Sequence, residues 1–345
     1  MPAFERQFKK TRRNTPDPLD FQEADMVLSR GYLYEREEHY RQAIVEYLAY
    51  LKDYDNDPWV FGHLGFCYRE VNQYSLALKM FERALELNPL YGWVYAQRGA
   101  TYLWMKEYHL ALIDFKTAHG HLSEDAWILA LMGECYRELK QHNLALEAFG
   151  KCLKIKPDYA WAFAHRGRTY LAMDYFYKGV KDLHKALELD PQYSWVFYCL
   201  AEVYRRQGRK TEALDSYQKV LDKLPDYASA YSGRGKLFLS DGAYEEALAD
   251  FHKLRELTPD DPWVWAVCGR LNMALGNPDL AWADFKKALE FDKDCQIAIA
   301  GCADILIEQR NYRDALLQLA DFLKIEPNDG WAKQRLKQLE ASAAS

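Results

Sequence analysis

Few residues in this 345-residue sequence are spaced as catalytic or metal-binding groups would be. No HExxH zinc-protease pattern, P-loop or nucleophile elbow occurs. The run Gly233-Arg234-Gly235-Lys236 looks like a phosphate loop, but it falls within a helical pattern and no strand pattern precedes it. His119 and His121 have no cysteine or third histidine beside them, so we interpret them as helix-end or solvent-exposed residues. We therefore predict no catalytic residue, no metal site, no cofactor and no enzymatic activity.

Tryptophan is the residue type whose spacing indicates chemistry, and that chemistry is recognition. It recurs at one constant interval or a multiple of it, at Trp59, Trp93, Trp127, Trp161, Trp195 and Trp263, with Trp331 at the equivalent place near the C-terminus. Indole rings offer a large contact area at low entropic cost, and they dominate many protein interfaces. Two interpretations stay open, and they are compatible: each indole braces neighbouring elements, or the row binds a segment of a partner protein.

Residues 58–91 show which elements carry these tryptophans. Apolar residues at helical spacing predict one helix over about residues 59–71 and a second over about residues 75–87. The link between them, residues 72–74, is too short for anything except an antiparallel helix pair. Pro89 ends the second helix, because proline lacks an N–H group and disfavours a helical residue before it.

This unit resembles the tetratricopeptide repeat, whose signature has the same length as the interval between the tryptophans. The matching residues are Phe61, Leu64-Gly65, Tyr68, Tyr74, Ala77, Phe81, Ala84 and Pro89, and the pattern recurs along the chain without a gap. The resemblance implies nine repeats, at 24–57, 58–91, 92–125, 126–159, 160–193, 194–227, 228–261, 262–295 and 296–329. It implies an all-α fold, a right-handed α-solenoid whose first helices line a concave groove. Residues 330–345 would form a C-terminal capping helix with a frayed end.

The same resemblance places positions two, five, nine, twelve and thirteen of each repeat on the groove, counting from the first residue of the repeat; Arg205 is at position twelve. Tryptophan occupies position two in most repeats, and apolar or charged residues occupy position nine. We expect the charged members to select the partner and fix its register. The candidate partner-binding residues are Trp59, Trp93, Trp127, Trp161, Trp195, Trp263, Phe66, Glu134, Arg168, Glu202 and Arg205.

One activity found in this family does not fit the residues. Members that capture the tails of heat-shock chaperones hold two carboxylates with Lys, Asn and Arg at fixed places in three consecutive repeats. Here position two is mostly tryptophan, and position five is mostly small, as at Gly62, Ala96, Ala130 and Ala164. We therefore disfavour a co-chaperone of this kind.

Arginine and an acidic residue recur together in every second repeat. Each arginine precedes its acid by 16 positions, in the pairs Arg30 with Glu46, Arg98 with Asp114, Arg166 with Asp182, and Arg234 with Asp250. In the implied fold each pair joins the two helices of one repeat. We interpret them as exposed structural ion pairs, which contribute about 0–1 kcal/mol each.

Composition and charge favour a folded, non-membrane protein with protein partners. The net charge of −6 argues against a nucleic-acid partner, which would need a basic stripe. Residues 1–23 are expected to be a flexible basic tail, without the apolar run of a secretory signal. No segment approaches the roughly 18 apolar residues that a membrane span requires. Seven cysteines without a CxxC pattern are interpreted as reduced core thiols, and a cytoplasmic location is expected.

These observations predict a non-enzymatic scaffold or adaptor that binds a peptide or helical segment of a partner protein. A chaperone or carrier that keeps one client protein soluble is an alternative. Another is a self-assembling structural protein, joined through the ends of the array or through the N-terminal tail.

Overall fold

Residues 26–343 are described by the computed structural model, with side chains through Leu339. The predicted basic tail, residues 1–23, lies outside the described residues. The described part contains helices and no strand. In chain order the helices are α1 (Met26–Arg36), α2 (Tyr40–Tyr50), α3 (Pro58–Glu70), α4 (Tyr74–Leu87), α5 (Gly92–Trp104), α6 (Tyr108–His121), α7 (Ala126–Glu138), α8 (His142–Ile155), α9 (Ala160–Ala172), α10 (Phe176–Leu189), α11 (Ser194–Arg206), α12 (Lys210–Lys223), α13 (Ala228–Ser240), α14 (Tyr244–Leu257), α15 (Pro262–Ala274), α16 (Pro278–Phe291), α17 (Gln296–Glu308), α18 (Tyr312–Ile325) and α19 (Gly330–Ala343). Through α18, odd-numbered helices are the first helices of the predicted repeats and even-numbered helices are the second.

The pair α3 and α4 shows why the sequence folds into helix pairs. α3 begins at Pro58, whose fixed φ suits a first helical turn, and α4 ends at Leu87, just before Asn88-Pro89. Between the two helices, Gly65 lies against the ring of Phe81. A Cβ atom added at Gly65 would lie 2.7 Å from that ring. The repeat therefore needs a small residue at this place so that its two helices can pack closely.

The centre of each repeat is one large side chain on its second helix. These side chains are fully buried and recur with the period of the tryptophans, at Tyr47, Phe81, Phe115, Phe149, Leu183, Tyr217, Phe251, Phe285 and Leu319. Burial therefore follows the period of the sequence, as expected when each repeat covers the apolar face of its neighbour.

The turn between the two helices of each repeat contains one residue in the left-handed region. These residues have φ between 58° and 76°, and they are Glu38, Asn72, Lys106, Lys140, Asp174, Gly208, Gly242, Gly276 and Arg310. An L-residue with a Cβ atom pays a steric cost in this region, which glycine avoids. Three of the nine turns use glycine at this place. The other six use a residue with a Cβ atom and therefore carry the steric cost.

We expect Gly242→Ala to lower the free energy of unfolding by about 1 kcal/mol, measured by urea unfolding. A Cβ atom at Gly242 would meet no atom within 4 Å, so the cost is conformational and not steric crowding by neighbours. Gly150→Ala is the matched control, because Gly150 also has open space around it but lies inside helix α8. It should raise stability by about 0.5–1 kcal/mol, since alanine is the better helix former. A loss of stability in both variants would contradict this account.

The helices form two compact units, with the boundary inside α11. The N-terminal unit comprises the described residues up to Val196, and the C-terminal unit comprises those from Phe197 onward. Within each unit the helix pairs pack on their neighbours, so the predicted fold class, an all-α repeat solenoid, is confirmed. The unbroken period of the sequence contains no signal for this division.

The four predicted arginine–acid pairs are present. The nitrogen–oxygen distance is 2.9 Å for Arg30–Glu46 and 2.7 Å for the other three, Arg98–Asp114, Arg166–Asp182 and Arg234–Asp250. The expectation of exposed pairs is wrong for those three, whose carboxylates are at most 9% exposed and receive two bonds each. Each therefore joins two helices through a buried carboxylate, and breaking such a pair costs far more than breaking a surface pair.

The seven cysteines have the environment that the sequence predicts. All seven cysteines are buried and none forms a disulfide, as expected for core thiols.

No helix between residues 26 and 343 combines the length and the hydropathy that crossing a membrane would need.

Candidate functional site

An aspartate at the start of the first helix fixes three of the tryptophans. The carboxylates of Asp57 and Asp125 accept a hydrogen bond from the backbone N–H of Trp59 and of Trp127, both at 2.8 Å. Asp261 accepts the corresponding bond from Trp263 at 2.9 Å. These are N-caps, which satisfy N–H groups that have no partner inside the helix. Each cap therefore fixes where its helix begins, and with it the backbone position of the tryptophan.

In the N-terminal unit, the Trp93 indole packs over Gly62, which is position five of the repeat before it. A Cβ atom added at Gly62 would lie 3.1 Å from Trp93 Cζ3. The alanines at the same position of the next three repeats are at most 1% exposed, and they are Ala96, Ala130 and Ala164. At Gly62 a larger side chain would meet both Trp93 and Val94, and the buried alanines at the equivalent positions likewise leave little room for one.

Two histidines extend this packing into stacks of three rings. In the first stack, the His63 ring lies 3.9 Å from the Trp59 ring and 4.7 Å from the Trp93 ring, with interplanar angles of 30° and 22°. In the second, three repeats later, His165 lies 3.9 Å from Trp161 and 5.0 Å from Trp195, at 20° and 22°. Each stack spans two successive first helices. It therefore braces one repeat against the next.

Sequence reasoning missed these histidines, although a signal was present. Each follows a row tryptophan by four residues, as Trp59 with His63 and Trp161 with His165. Side chains four residues apart lie on the same helix face, so the spacing alone predicts a ring pair. Trp93 and Trp127 have no histidine at that distance, and the pattern is therefore easy to overlook.

Buried carboxylates orient both histidines. His63 Nδ1 lies 2.8 Å from a Glu35 oxygen, and His165 Nδ1 lies 2.7 Å from a Glu134 oxygen. Burial lowers the pKa of His165, and this outweighs the effect of Glu134, so we treat the ring as neutral at pH 7. For Glu134 itself, burial acts to raise the pKa, but His165 and Arg137 lower it well below the usual range. Glu134 is therefore an ionised structural bridge, which Arg137 Nε also contacts at 3.0 Å.

Position nine of one repeat lies against the tryptophan of the next. In the N-terminal unit, the Tyr32 ring is 5.9 Å from the Trp59 ring, and Phe66 is 6.5 Å from Trp93. The Arg168 guanidinium lies 5.5 Å from the Trp195 ring centre. In the C-terminal unit, the Lys236 ammonium lies 4.7 Å from the Trp263 ring centre. The indoles thus receive aromatic neighbours in some repeats and cationic neighbours in others.

The predicted site residues differ widely in exposure. Trp161, Phe66 and Glu134 are buried, with 1%, 3% and 8% of their surface exposed, so they support the surface and do not form it. Arg168 is exposed. The others are half-buried, and they are Trp59, Trp93, Trp127, Trp195, Trp263, Glu202 and Arg205. Of the charged members, Arg205 is held by Glu202 at 2.8 Å on the same helix.

Metal-binding groups are not clustered in the described part of the chain. No three His, Cys, Asp or Glu side chains among those residues come together as a metal ion would require. Next to Trp161, the ionisable Glu134 and His165 instead contact each other.

Helix pairs that recur with one constant period, each closed around one buried side chain, define an α-helical repeat protein. Models of the tetratricopeptide repeat match residues 58–91, 128–159, 162–193 and 198–262. The chain is a tetratricopeptide repeat protein.

Solved structures show the same fold. A tetratricopeptide repeat protein from Parabacteroides merdae is 19% identical, with a TM-score of 0.53 over 71% of this chain and 96% of its own. The C-terminal part of a repeat protein from Cytophaga hutchinsonii is 18% identical, with a TM-score of 0.52 over 70% and 98%. A chain of the APC/C hetero-tetramer Cut9–Hcn1 is 16% identical, with a TM-score of 0.52 over 92% of this chain and 66% of its own. A search of curated proteins found no match.

Proposed function

We propose that this protein is an interaction scaffold that binds a segment of a partner protein along the first helices of its N-terminal unit. Tetratricopeptide repeat proteins bind peptides or proteins, so the family supports this class of function. The contact residues would be the half-buried tryptophans Trp59, Trp93, Trp127 and Trp195, together with the exposed Arg168.

The observation that carries this proposal is the way in which the tryptophans are held. Stacking on histidine restrains the rings of Trp59 and Trp195, and aspartate capping fixes the backbone of Trp59, while four of the five row tryptophans in this unit keep part of their surface accessible. A surface that is already rigid loses little conformational entropy when a partner binds. Aromatic anchors of this type supply most of the binding energy in many interfaces. A row of them, about one per repeat, therefore suits an extended or helical segment.

Site-specific photocrosslinking tests where a partner binds. The photoreactive residue p-benzoylphenylalanine is placed at Trp127 or Trp195, on first helices, and separately at Leu110 or Tyr177, which are exposed on second helices. In native lysate we expect a discrete adduct from the first-helix positions only. Equal crosslinking from both faces, or from the second helices alone, would contradict the proposed binding surface.

A matched pair of double variants tests the energetic role of the tryptophans. Trp127→Ala/Trp195→Ala should weaken capture of the crosslinked partner by at least about 30-fold, because each aromatic anchor contributes about 1–2 kcal/mol or more. Leu110→Ala/Tyr177→Ala removes comparable apolar groups from the second helices and should leave capture unchanged. Circular dichroism of both variants checks that the helices are retained. Unchanged capture by the tryptophan variant would mean that the row only braces the repeats.

A further inference from the structure

Most arginines on the first helices pair with a carboxylate, but three described cations on the first helices of the C-terminal unit do not: Arg206, Lys236 and Arg270. Helices α13, α15 and α17 carry three cations. Arg234 is held by Asp250 through two bonds of 2.9 and 2.7 Å. Lys236 and Arg270 are exposed, and no carboxylate of the described residues pairs with either. Exposed cations without an acidic partner also occur elsewhere, as at Lys293 and Arg313, so what singles out Lys236 is its contact with the Trp263 ring.

Of the two cations Lys236 and Arg270, one contacts a tryptophan, and the other lies on the same face of that tryptophan's helix. The Lys236 ammonium lies over the Trp263 ring, 4.7 Å from its centre. Arg270 follows Trp263 by seven residues on α15, which places both on one side of that helix. Lys236 and Arg270 also occupy position nine of successive repeats. We call these three residues the Lys236–Trp263–Arg270 patch.

The tryptophan of the patch is held in place before any partner arrives. Asp261 caps its helix at 2.9 Å, and the Phe251 ring packs edge-on at 5.7 Å. The indole is half-buried, so part of its surface remains accessible although Lys236 lies over the ring. The patch therefore combines one fixed apolar surface with two flexible cations.

We propose that the Lys236–Trp263–Arg270 patch binds an acidic peptide segment in which two carboxylates flank an apolar side chain. This deepens the proposed function and rests on it, since it assigns a partner chemistry to a second part of the same scaffold. Each carboxylate would replace the acidic partner that Lys236 and Arg270 lack, and the apolar side chain would lie on Trp263.

The spacing of the two acids follows from the spacing of the helices. The Lys236–Trp263 contact shows that side chains of α13 and α15 meet, so we take the separation of the two helices as roughly 8–10 Å; an extended chain advances about 3.3 Å per residue. Two carboxylates about three residues apart would therefore reach the two cations together. A nucleic acid fits less well, because two cations neutralise too few phosphates for useful affinity.

Fluorescence anisotropy with synthetic probes tests the proposal on the full chain. The probe is a fluorescein-labelled twelve-residue peptide with two glutamates three residues apart, one leucine between them, and a glycine–serine background. Matched probes carry glutamine or lysine in place of both glutamates. We expect the glutamate probe to bind at least about tenfold more tightly than the glutamine probe, since each charge-assisted contact contributes to affinity.

Variants of the chain assign that binding to the patch. Lys236→Glu/Arg270→Glu should abolish binding of the glutamate probe and create binding of the lysine probe. Lys236→Gln/Arg270→Gln, which adds no new charge, should weaken binding about tenfold. The matched control is Lys293→Glu/Arg313→Glu, an equal change in net charge at two exposed, unpaired cations outside the first helices of the same unit. It should leave the affinity for the glutamate probe within about twofold.

Several results would overturn the inference. Equal weakening by the patch variant and the control would mean attraction to overall charge only. Equal binding of the glutamate and glutamine probes would leave an apolar surface without charge recognition, and no binding of any probe at millimolar concentration would exclude the site. Tighter binding of a single-stranded oligonucleotide, lost in the patch variant, would assign the patch to nucleic acid. The partner-capture experiment with the Trp127/Trp195 variant does not depend on the peptide probes. If the first-helix tryptophans are needed for capture but the glutamate probe does not bind, this inference is overturned and the proposed function is not.

Discussion

Replacing Trp161 by alanine should lower the free energy of unfolding by about 3–5 kcal/mol. Its side chain is 1% exposed, stacks 3.9 Å from His165, and meets the Phe149 ring edge-on at 6.2 Å. Alanine would remove the ring from all of these contacts and leave a cavity that the surrounding helices can fill only in part. Urea unfolding followed by circular dichroism measures the loss.

Trp127→Ala is the control for Trp161→Ala. Trp127 occupies the same position one repeat earlier, but it is half-buried. Its replacement should therefore cost clearly less, because less apolar surface is removed from the interior. Because repeat proteins can unfold in parts, hydrogen exchange should also show the larger loss of protection in α8 and α9 for Trp161→Ala. Equal costs for the two variants would mean that burial does not distinguish the tryptophans.

Arg98→Met should cost about 3 kcal/mol, the second-largest effect we expect. Arg98 donates two hydrogen bonds to Asp114, at 2.7 and 2.8 Å, and the Asp114 carboxylate is only 4% exposed. Methionine keeps much of the apolar stem but leaves that carboxylate buried without its cation. We place the loss at the lower end of the range for buried pairs, because Arg98 is itself 20% exposed and water can replace part of the contact.

Two further variants separate the ion pair from general effects of losing an arginine. Arg30→Met breaks the equivalent pair with Glu46, where Arg30 is 53% exposed, and should cost no more than about 1 kcal/mol. Arg98→Met/Asp114→Leu removes both charges and should recover most of the stability lost in Arg98→Met. If the double variant is as unstable as the single one, an unpaired carboxylate is not the cause.

The sequence alone determined the helix pairs, their boundaries near residues 58–91, and the repeat to which they belong. These features depend on local patterns: apolar spacing selects the helices, short links make them antiparallel, and proline ends them. The arginine–acid partners were also predictable, because a fixed repeat geometry brings residues 16 positions apart to the same place. In this protein the repeat period therefore predicts contacts between the two helices of one repeat.

Only the tertiary structure decided how much of each tryptophan is accessible. Trp161 and Trp127 occupy the same position of adjacent repeats, and yet one is buried and the other half-buried. Exposure depends on side chains from several helices at once, such as His165 and Phe149 around Trp161. The repeat period does not specify those neighbours, since they differ from repeat to repeat.

Charge shows the same division between local pattern and assembled structure. The sequence identifies Arg168, Glu134, Lys236 and Arg270 as residues at position nine, where the family would place them on one surface. In the folded chain Glu134 is buried against His165, whereas Lys236 and Arg270 stay exposed without an acidic partner. Whether a charge is neutralised depends on distances of a few ångströms between neighbouring helices, because ion pairing is short-ranged in water. Those distances are set by packing and cannot be read from spacing along the chain.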